Sequence, residues 1–92
     1  MATFVMFGKY SMDATKAMST MRTDQAMNLI KQNGGEFKTG YALLGNVDLV
    51  LVVDLPSTEA AMKVSAALSK LQGIDFTTSP AVNVADFDKL MG

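Results

Sequence analysis

The sequence contains no cysteine, no histidine and no tryptophan among its 92 residues. Without cysteine the chain cannot form disulfides, thiolate metal sites or a cysteine nucleophile. Without histidine it lacks the commonest metal ligand and the side chain that most often moves protons near neutral pH. We therefore expect no metal and no cofactor, and any proton transfer would depend on a carboxylate, a lysine or a tyrosine.

Charge of either sign is also sparse and nearly balanced. Eight Lys and Arg oppose nine Asp and Glu, for a net charge of −1, and the basic residues are scattered singly. Since no basic stripe is present to neutralise a phosphate backbone, we expect no nucleic-acid partner. No apolar run reaches the roughly 20 residues that cross a bilayer, and no signal peptide is visible. We expect a cytoplasmic protein with no membrane partner.

Hydrophobic residues are abundant, at 49% of the chain, and their spacing predicts the elements. We predict four strands and two helices, in the order strand 3–10, helix 23–35, strand 36–44, a strand from the apolar run 49–53, helix 57–73 and strand 74–84. Residues 11–21, with three methionines, are interpreted as a loop, and the tail as one helical turn in which Phe87 and Leu90 pack. The order β-α-β-β-α-β is the ferredoxin-like pattern, an α+β fold, and we expect a single domain over 1–92.

Residues at the ends and on the faces of these elements sharpen the prediction. Thr23 is expected to cap the first helix, and Ser57 or Thr58 the second. Gly34 and Gly73 suit left-handed helix stops. The second helix is expected to bury one stripe, made of Ala60, Val64, Ala67, Leu68 and Leu71. In the second strand Phe37 and Tyr41 are expected on one face and Lys38 and Gly40 on the other, while the last strand directs Ile74, Phe76, Val82 and Val84 inward.

The first and third strands are apolar on both faces, which predicts that they are central in the sheet. Right-handed crossovers place both helices on one side, so the other face stays uncovered. Each large aliphatic side chain left in water there would forfeit about 1.5–3 kcal/mol. We therefore predict a homodimer in which two sheets pack face to face, a dimeric α/β barrel. The alternative is that the first loop or the tail folds over this face.

Short motifs along the chain resemble those of the GYD-domain family, small bacterial and archaeal proteins of unassigned function. They are "GKY" after the first strand, Arg22, "GG" at 34–35, Tyr41, "LGNVDLVLVV" at 44–53, the threonines at 77–78 and the acidic-Phe tail. Val47 stands where the family carries its name-giving tyrosine. The resemblance implies a dimeric α/β barrel and no settled chemistry. A looser similarity is to the amino-acid-sensing domain of leucine-responsive regulators.

Four residues are candidates for ligand binding: Tyr10, Arg22, Tyr41 and Asp48. The tyrosine hydroxyls can donate hydrogen bonds into a cleft. It is commoner, however, for the ring to be packed while the hydroxyl remains in solvent. Arg22 beside a helix start suits a carboxylate or phosphate, although a surface ion pair is the ordinary role. Asp48 can act as a base or accept a ligand's amine, although capping the hairpin is the favoured interpretation.

Three functions remain open from the sequence alone. The first is a homodimer that binds a small organic ligand in a pocket between sheet and helices. The second is a cofactor-independent enzyme of the dimeric α/β barrel kind, an isomerase or oxygenase. The third is a structural module that assembles into higher oligomers through its edge strands. Fold-level analogy alone supports the enzyme. The sequence favours ligand binding.

Overall fold

A computed structural model describes the backbone of residues 1–10 and 20–92, with the side chains of residues 1–10 and 23–92. The elements are β1 (Ala2–Tyr10), α1 (Thr20–Gln32), β2 (Glu36–Ala42), β3 (Leu49–Leu55), α2 (Thr58–Gln72), β4 (Ile74–Ala81) and α3 (Val84–Met91). The predicted order β-α-β-β-α-β is confirmed, and a helix follows it at the C-terminal end. Most of the predicted methionine-bearing loop, residues 11–19, lies outside the described residues.

The strands form one antiparallel sheet in the order β2-β3-β1-β4. The prediction that β1 and β3 are central is confirmed. Their register pairs Phe4 with Val53 and Met6 with Leu51, so these four residues lie on the same face. Alternate residues of the same strands necessarily point to the opposite face, since side chains alternate along a strand.

The core lies between the sheet and helices α1 and α2. Its fully buried side chains come from β1, β3 and both of these helices; they are Met6, Ile30, Val53, Leu55, Val64 and Leu68. Each such side chain contributes about 1.5–3 kcal/mol of hydrophobic stabilisation. Both helices therefore cover one face of the sheet, as the sequence predicts.

Helix α1 ends as predicted and begins earlier than predicted. Gly34 has φ 80° and donates its N–H to the carbonyl of Lys31, while the Gly35 N–H reaches the carbonyl of Ile30. This pair of bonds satisfies two carbonyls at the helix end. The helix starts at Thr20, so the prediction that Thr23 caps it is wrong. Thr23 lies inside the helix.

Helix α2 begins and ends where the sequence indicates, but its buried stripe is different. The Ser57 side chain accepts the Ala60 N–H at the start, and Gly73 has φ 65° at the end. The buried positions are Ala61, Val64, Leu68 and Gln72. Leu71 is 59% exposed, so its predicted place in the stripe is wrong. With 3.6 residues a turn, a stripe that starts at Ala61 reaches Gln72 after three turns, whereas the predicted stripe, which starts at Ala60, reaches Leu71.

Strand β2 contains a bulge that the sequence did not reveal. The register with β3 shifts between Phe37 and Thr39. A bulge adds one residue to a strand and reverses the alternation beyond it. Phe37 therefore packs against the core, whereas Tyr41 pairs with Val50 on the other face. The prediction that these two aromatic residues share one face is wrong.

The C-terminal end departs most from the prediction. Strand β4 stops at Ala81, and the predicted inward valines, Val82 and Val84, are 58% and 74% exposed. The Asn83 side chain accepts the N–H of Asp86 and thereby starts a helix of 8 residues in place of one turn. Phe87 and Leu90 are 49% and 73% exposed, so the prediction that they pack is wrong.

Candidate functional site

A cavity lies between the core face of the sheet and the helices, at the end of the sheet where β1 finishes. Its volume is about 240 Å³, roughly the space of eight water molecules in the liquid. Apolar side chains dominate its lining and include Phe37, Leu49, Leu51, Ile74 and Phe76. The polar side chains in the lining are those of Tyr10, Thr23, Tyr41 and Gln72. An apolar cavity with a few polar groups is the usual form of a small-molecule site.

Tyr10 is a candidate that the structure places in the wall of this cavity. It is the last residue of β1, shares the core-side alternation of Phe4 and Met6, and is half-buried. Its phenol combines an apolar ring with one hydroxyl that can donate or accept a hydrogen bond. Tyr10 can therefore pack against an apolar ligand and orient one polar group of it.

Asp48 adjoins Tyr10 but does not line the cavity. Its Oδ2 accepts the backbone N–H of Tyr10 at 2.9 Å, and its own N–H donates to the carbonyl of Gly8 at 2.9 Å. Its carbonyl accepts the N–H of Leu43 at 2.8 Å. Asp48 thus joins the β2–β3 turn to the end of β1. The carboxylate accepts a backbone amide, as the capping interpretation expects, but the amide belongs to β1 rather than to the hairpin, and the bond fixes the backbone that carries Tyr10.

Tyr41 borders the cavity from the edge strand β2. Its cross-strand partner is Val50, on the side of the sheet away from the helices, and the residue is 60% exposed. Tyr41 therefore lies where the edge of the cavity meets the uncovered face. Arg22 belongs to the first turn of α1, one residue before Thr23, and its side chain lies outside the described residues.

Gln72 is a lining residue that the sequence did not single out. It is 4% exposed and is the buried polar residue of the described part of the chain. Its amide carries two donors and an acceptor at the C-terminal end of α2. The signal that identifies it is the helical spacing from Val64 and Leu68. The sequence favours Leu71 for this buried position, because Leu71 is apolar and Gln72 is not.

The uncovered side of the sheet carries a second surface, the open face, defined by Val5, Phe7, Val50 and Val52. Val5 pairs with Val52 and Phe7 with Val50, so the four side chains form one block at the centre. Phe7 is 37% exposed, and the three valines are partly exposed. No element among the described residues covers this block.

One end of the open face is polar. The Thr3 hydroxyl donates to Asp54 Oδ1 at 2.7 Å, and Lys38 Nζ lies 3.5 Å from Asp54 Oδ2 and 3.5 Å from Glu36 Oε2. The Thr3 hydrogen bond holds the pKa of Asp54 below its ordinary value, and Lys38 adds to this effect. The carboxylates of Glu36 and Asp54 raise the pKa of Lys38. This cluster bounds the apolar block with fixed charges.

The fold and the cavity define a small ferredoxin-like α+β protein with a space between its sheet and its helices. The chain belongs to the GYD domain family, whose model matches residues 4–91. This match confirms the family resemblance read from the sequence. A search of curated proteins finds no significant match. No helix in the described part of the chain is long and apolar enough to span a membrane.

Two solved structures are similar in fold. The leucine response regulatory protein LrpA of Mycobacterium tuberculosis superposes with a TM-score of 0.59 at 12% identity, over 90% of this chain and 51% of that one. A structure of a glutamate-to-alanine mutant gives 0.58 at 13% identity, with coverage of 90% and 51%. This chain therefore spans about half the length of each. At such low identity the likeness shows the fold alone.

Proposed function

We propose that this protein is a homodimer that binds a small, mainly apolar organic molecule in the cavity beside Tyr10. The observation that carries the proposal is the lining itself, in which aromatic and aliphatic side chains surround a few hydrogen-bonding groups. Such a lining stabilises an apolar body by excluding water from it and orients it through one or two polar contacts.

The size of the cavity narrows the class of ligand. At about 240 Å³ it lies below the 300–1,000 Å³ that is usual for drug-sized ligands. A single ring with one polar substituent matches this space. The LrpA structure, whose name describes a response to leucine, has a similar fold over about half of its length, and this lends support to a small-molecule ligand. That support is an analogy of fold.

The charge of the ligand depends on Arg22. Described side chains in the lining carry no formal charge at neutral pH, which favours a neutral ligand. Arg22 precedes the lining residue Thr23 on α1 and remains a candidate for a ligand carboxylate. Benzamide and benzoate differ in charge at nearly the same size and therefore distinguish these two possibilities.

The dimer is proposed from the open face. Four apolar residues of the two central strands lie together there, uncovered by any described element. A second copy that presents the same face would cover them through a two-fold axis, because one patch then serves on both copies. The result is the face-to-face dimeric α/β barrel predicted from the sequence.

Titration of the isotopically labelled protein with benzamide, followed by NMR, tests the ligand proposal. We expect amide shifts at lining residues such as Leu51 and Ile74. Ala42→Phe should abolish them, because a large ring at this lining position fills the space. Ala66→Phe is the matched control, since Ala66 lies on an exposed part of α2 and does not line the cavity.

Two further variants assign the polar contacts. Tyr10→Phe should weaken benzamide binding about 2- to 10-fold, the usual effect of losing one hydrogen bond. If Arg22 reaches the ligand, benzoate should bind more tightly than benzamide, and Arg22→Gln should remove that preference. Shifts confined to residues outside the lining, or unchanged by Ala42→Phe, would contradict the proposed site.

A further inference from the structure

The C-terminal helix α3 carries an apolar face that the described part of the chain leaves largely exposed. Val84, Phe87, Leu90 and Met91 lie on one side of the helix and are 74%, 49%, 73% and 70% exposed. Every residue of α3 is exposed. An isolated helix of 8 residues is well below the roughly 12–15 residues at which helices become marginally stable in water. Its helical state therefore requires a surface to pack on.

We infer that α3 is an arm that packs on a second copy of this chain and enlarges the face-to-face interface. This inference rests on the proposed dimer. The choice of a second copy, rather than an unrelated protein, follows from the area of the open face compared with the area that a stable dimer needs.

The open face alone is too small for a stable dimer. Its apolar block has four side chains, those of Val5, Phe7, Val50 and Val52, and at roughly 60–120 Å² for each one buried they supply roughly 240–480 Å². Only the centre of the open face is apolar, since Thr3, Lys38 and Asp54 occupy one end. Stable dimers bury about 800 Å² on each partner. A face-to-face contact confined to this surface would leave several hundred Å² missing.

Helix α3 supplies an area of the missing size. Each large apolar side chain that becomes buried removes roughly 60–120 Å² from water, so its four exposed side chains add roughly 240–480 Å². The connection to the sheet is short, because only Val82 and Asn83 separate α3 from the edge strand β4. The first residue before this connection, Ala81, pairs with Thr3 on the open side of the sheet. The arm therefore starts at the border of the surface that it would enlarge.

Sedimentation equilibrium of the full chain and two matched double variants tests this inference. Phe87→Ser with Leu90→Ser removes the apolar face of α3 and should raise the dimer dissociation constant at least tenfold. Ala85→Ser with Lys89→Ser changes the opposite side of the same helix. It should leave the dimer dissociation constant within twofold of the original value. Because no residue of α3 is buried in the described structure, circular dichroism should show both variants folded. A chain that ends at Asn83 should weaken the dimer at least as much as the first variant.

The outcomes separate the arm from the dimer itself. If the full chain and the Phe87→Ser, Leu90→Ser variant dimerise equally well, the arm is overturned and the sheet interface stays in place. A full chain that stays monomeric near 10 µM overturns both. Equal weakening by the two double variants also overturns the arm, because the effect would then not depend on the apolar face.

Discussion

The two faces of the sheet are made by alternate residues of the same two strands, yet they have different surroundings. On one face Phe4, Met6 and Val53 are covered by α1 and α2 and are at most 3% exposed. On the other face the adjoining Phe7 is 37% exposed and Val52 partly so. In the sequence both faces carry apolar residues at the centre of these two strands. What differs is whether an element among the described residues covers them.

This difference separates what one copy of the chain can stabilise from what needs a second surface. Burial of Met6 or Val53 is complete within one chain, so their contribution does not depend on protein concentration. The contribution of the open face should depend on concentration, because association is a mass-action equilibrium. The same distinction applies to α3. Folding of the domain and the use of its remaining apolar surface are therefore separable in experiments.

The largest expected effect comes from the covered face. Met6→Ala should lower the free energy of unfolding by about 2–5 kcal/mol, since it removes a fully buried side chain and leaves a cavity. Phe7→Ala is the matched variant on the open face. At dilutions where the chain is monomeric it should cost less, about 1–2 kcal/mol, because 37% of Phe7 is already exposed, although phenylalanine is the larger residue. Urea unfolding measures both, and equal losses would remove the distinction between the faces.

Asp48 is expected to have the next largest effect, where the hairpin meets β1. Asp48→Ala removes the acceptor of the Tyr10 N–H and should cost about 1.5–3 kcal/mol, the range for hydrogen bonds to charged groups. Asp48→Asn keeps an acceptor oxygen and should cost less. Asp75→Ala, a change of the same kind at an exposed position beside Lys9, serves as the control. Thermal unfolding should show the largest loss of stability for Asp48→Ala, a smaller loss for Asp48→Asn and the smallest for Asp75→Ala.

If Asp48→Ala leaves the stability of the fold unchanged, the structural role of this carboxylate is contradicted. The proposed site predicts a second consequence. Because Asp48 fixes the backbone of Tyr10, Asp48→Ala should also weaken benzamide binding, whereas Asp75→Ala should not. If Asp75→Ala also weakens benzamide binding, the binding assay responds to any destabilisation of the sheet and not specifically to the position of Tyr10.

The smallest expected effect lies at the polar end of the open face. Thr3→Val removes the hydrogen bond that lowers the pKa of Asp54 and should raise that pKa toward the ordinary value of 3.8. A lowered carboxyl pKa stabilises the fold above the ordinary value and loses this contribution as the pH falls through the lowered one. When the pH is lowered, the Thr3→Val variant should therefore unfold at a higher pH than the unsubstituted protein.

Carbon-detected NMR of the carboxyl groups measures this pKa directly. Thr77→Val provides the control, because Thr77 lies on the same face opposite Phe7 and away from Asp54. It should leave the pKa of Asp54 unchanged. A pKa of Asp54 that does not respond to Thr3→Val would show that Lys38, rather than the hydroxyl, holds it low.

The sequence predicted the covered face well because hydrophobic spacing reports burial directly. The run Leu49–Val53 identified a central strand, and Ser57, Gly34 and Gly73 located helix ends through backbone chemistry that is local. The errors arose where local sequence carries no such signal. The bulge after Phe37 reverses the strand's alternation without a marker residue, and Leu71 is apolar but lies off the helical stripe.

The candidate site was only partly predictable for the same reason. Tyr10 and Tyr41 border the cavity from two strands, and Asp48 hydrogen-bonds the backbone of Tyr10. Which of them lines the cavity depends on register and on a hydrogen bond between residues 38 positions apart. Gln72 was missed because an amide within an apolar helix is ordinarily expected on the outside.

Sedimentation of the full chain and of Val52→Lys near 10 µM tests the central claim most directly. The open face predicts that the full chain sediments at about twice its monomer mass of 9.8 kDa and that Val52→Lys sediments as a folded monomer. The lysine places a charge at the centre of the apolar block, where a partner would have to desolvate it. A full chain that is monomeric at this concentration, or a Val52→Lys dimer of unchanged affinity, would contradict the claim.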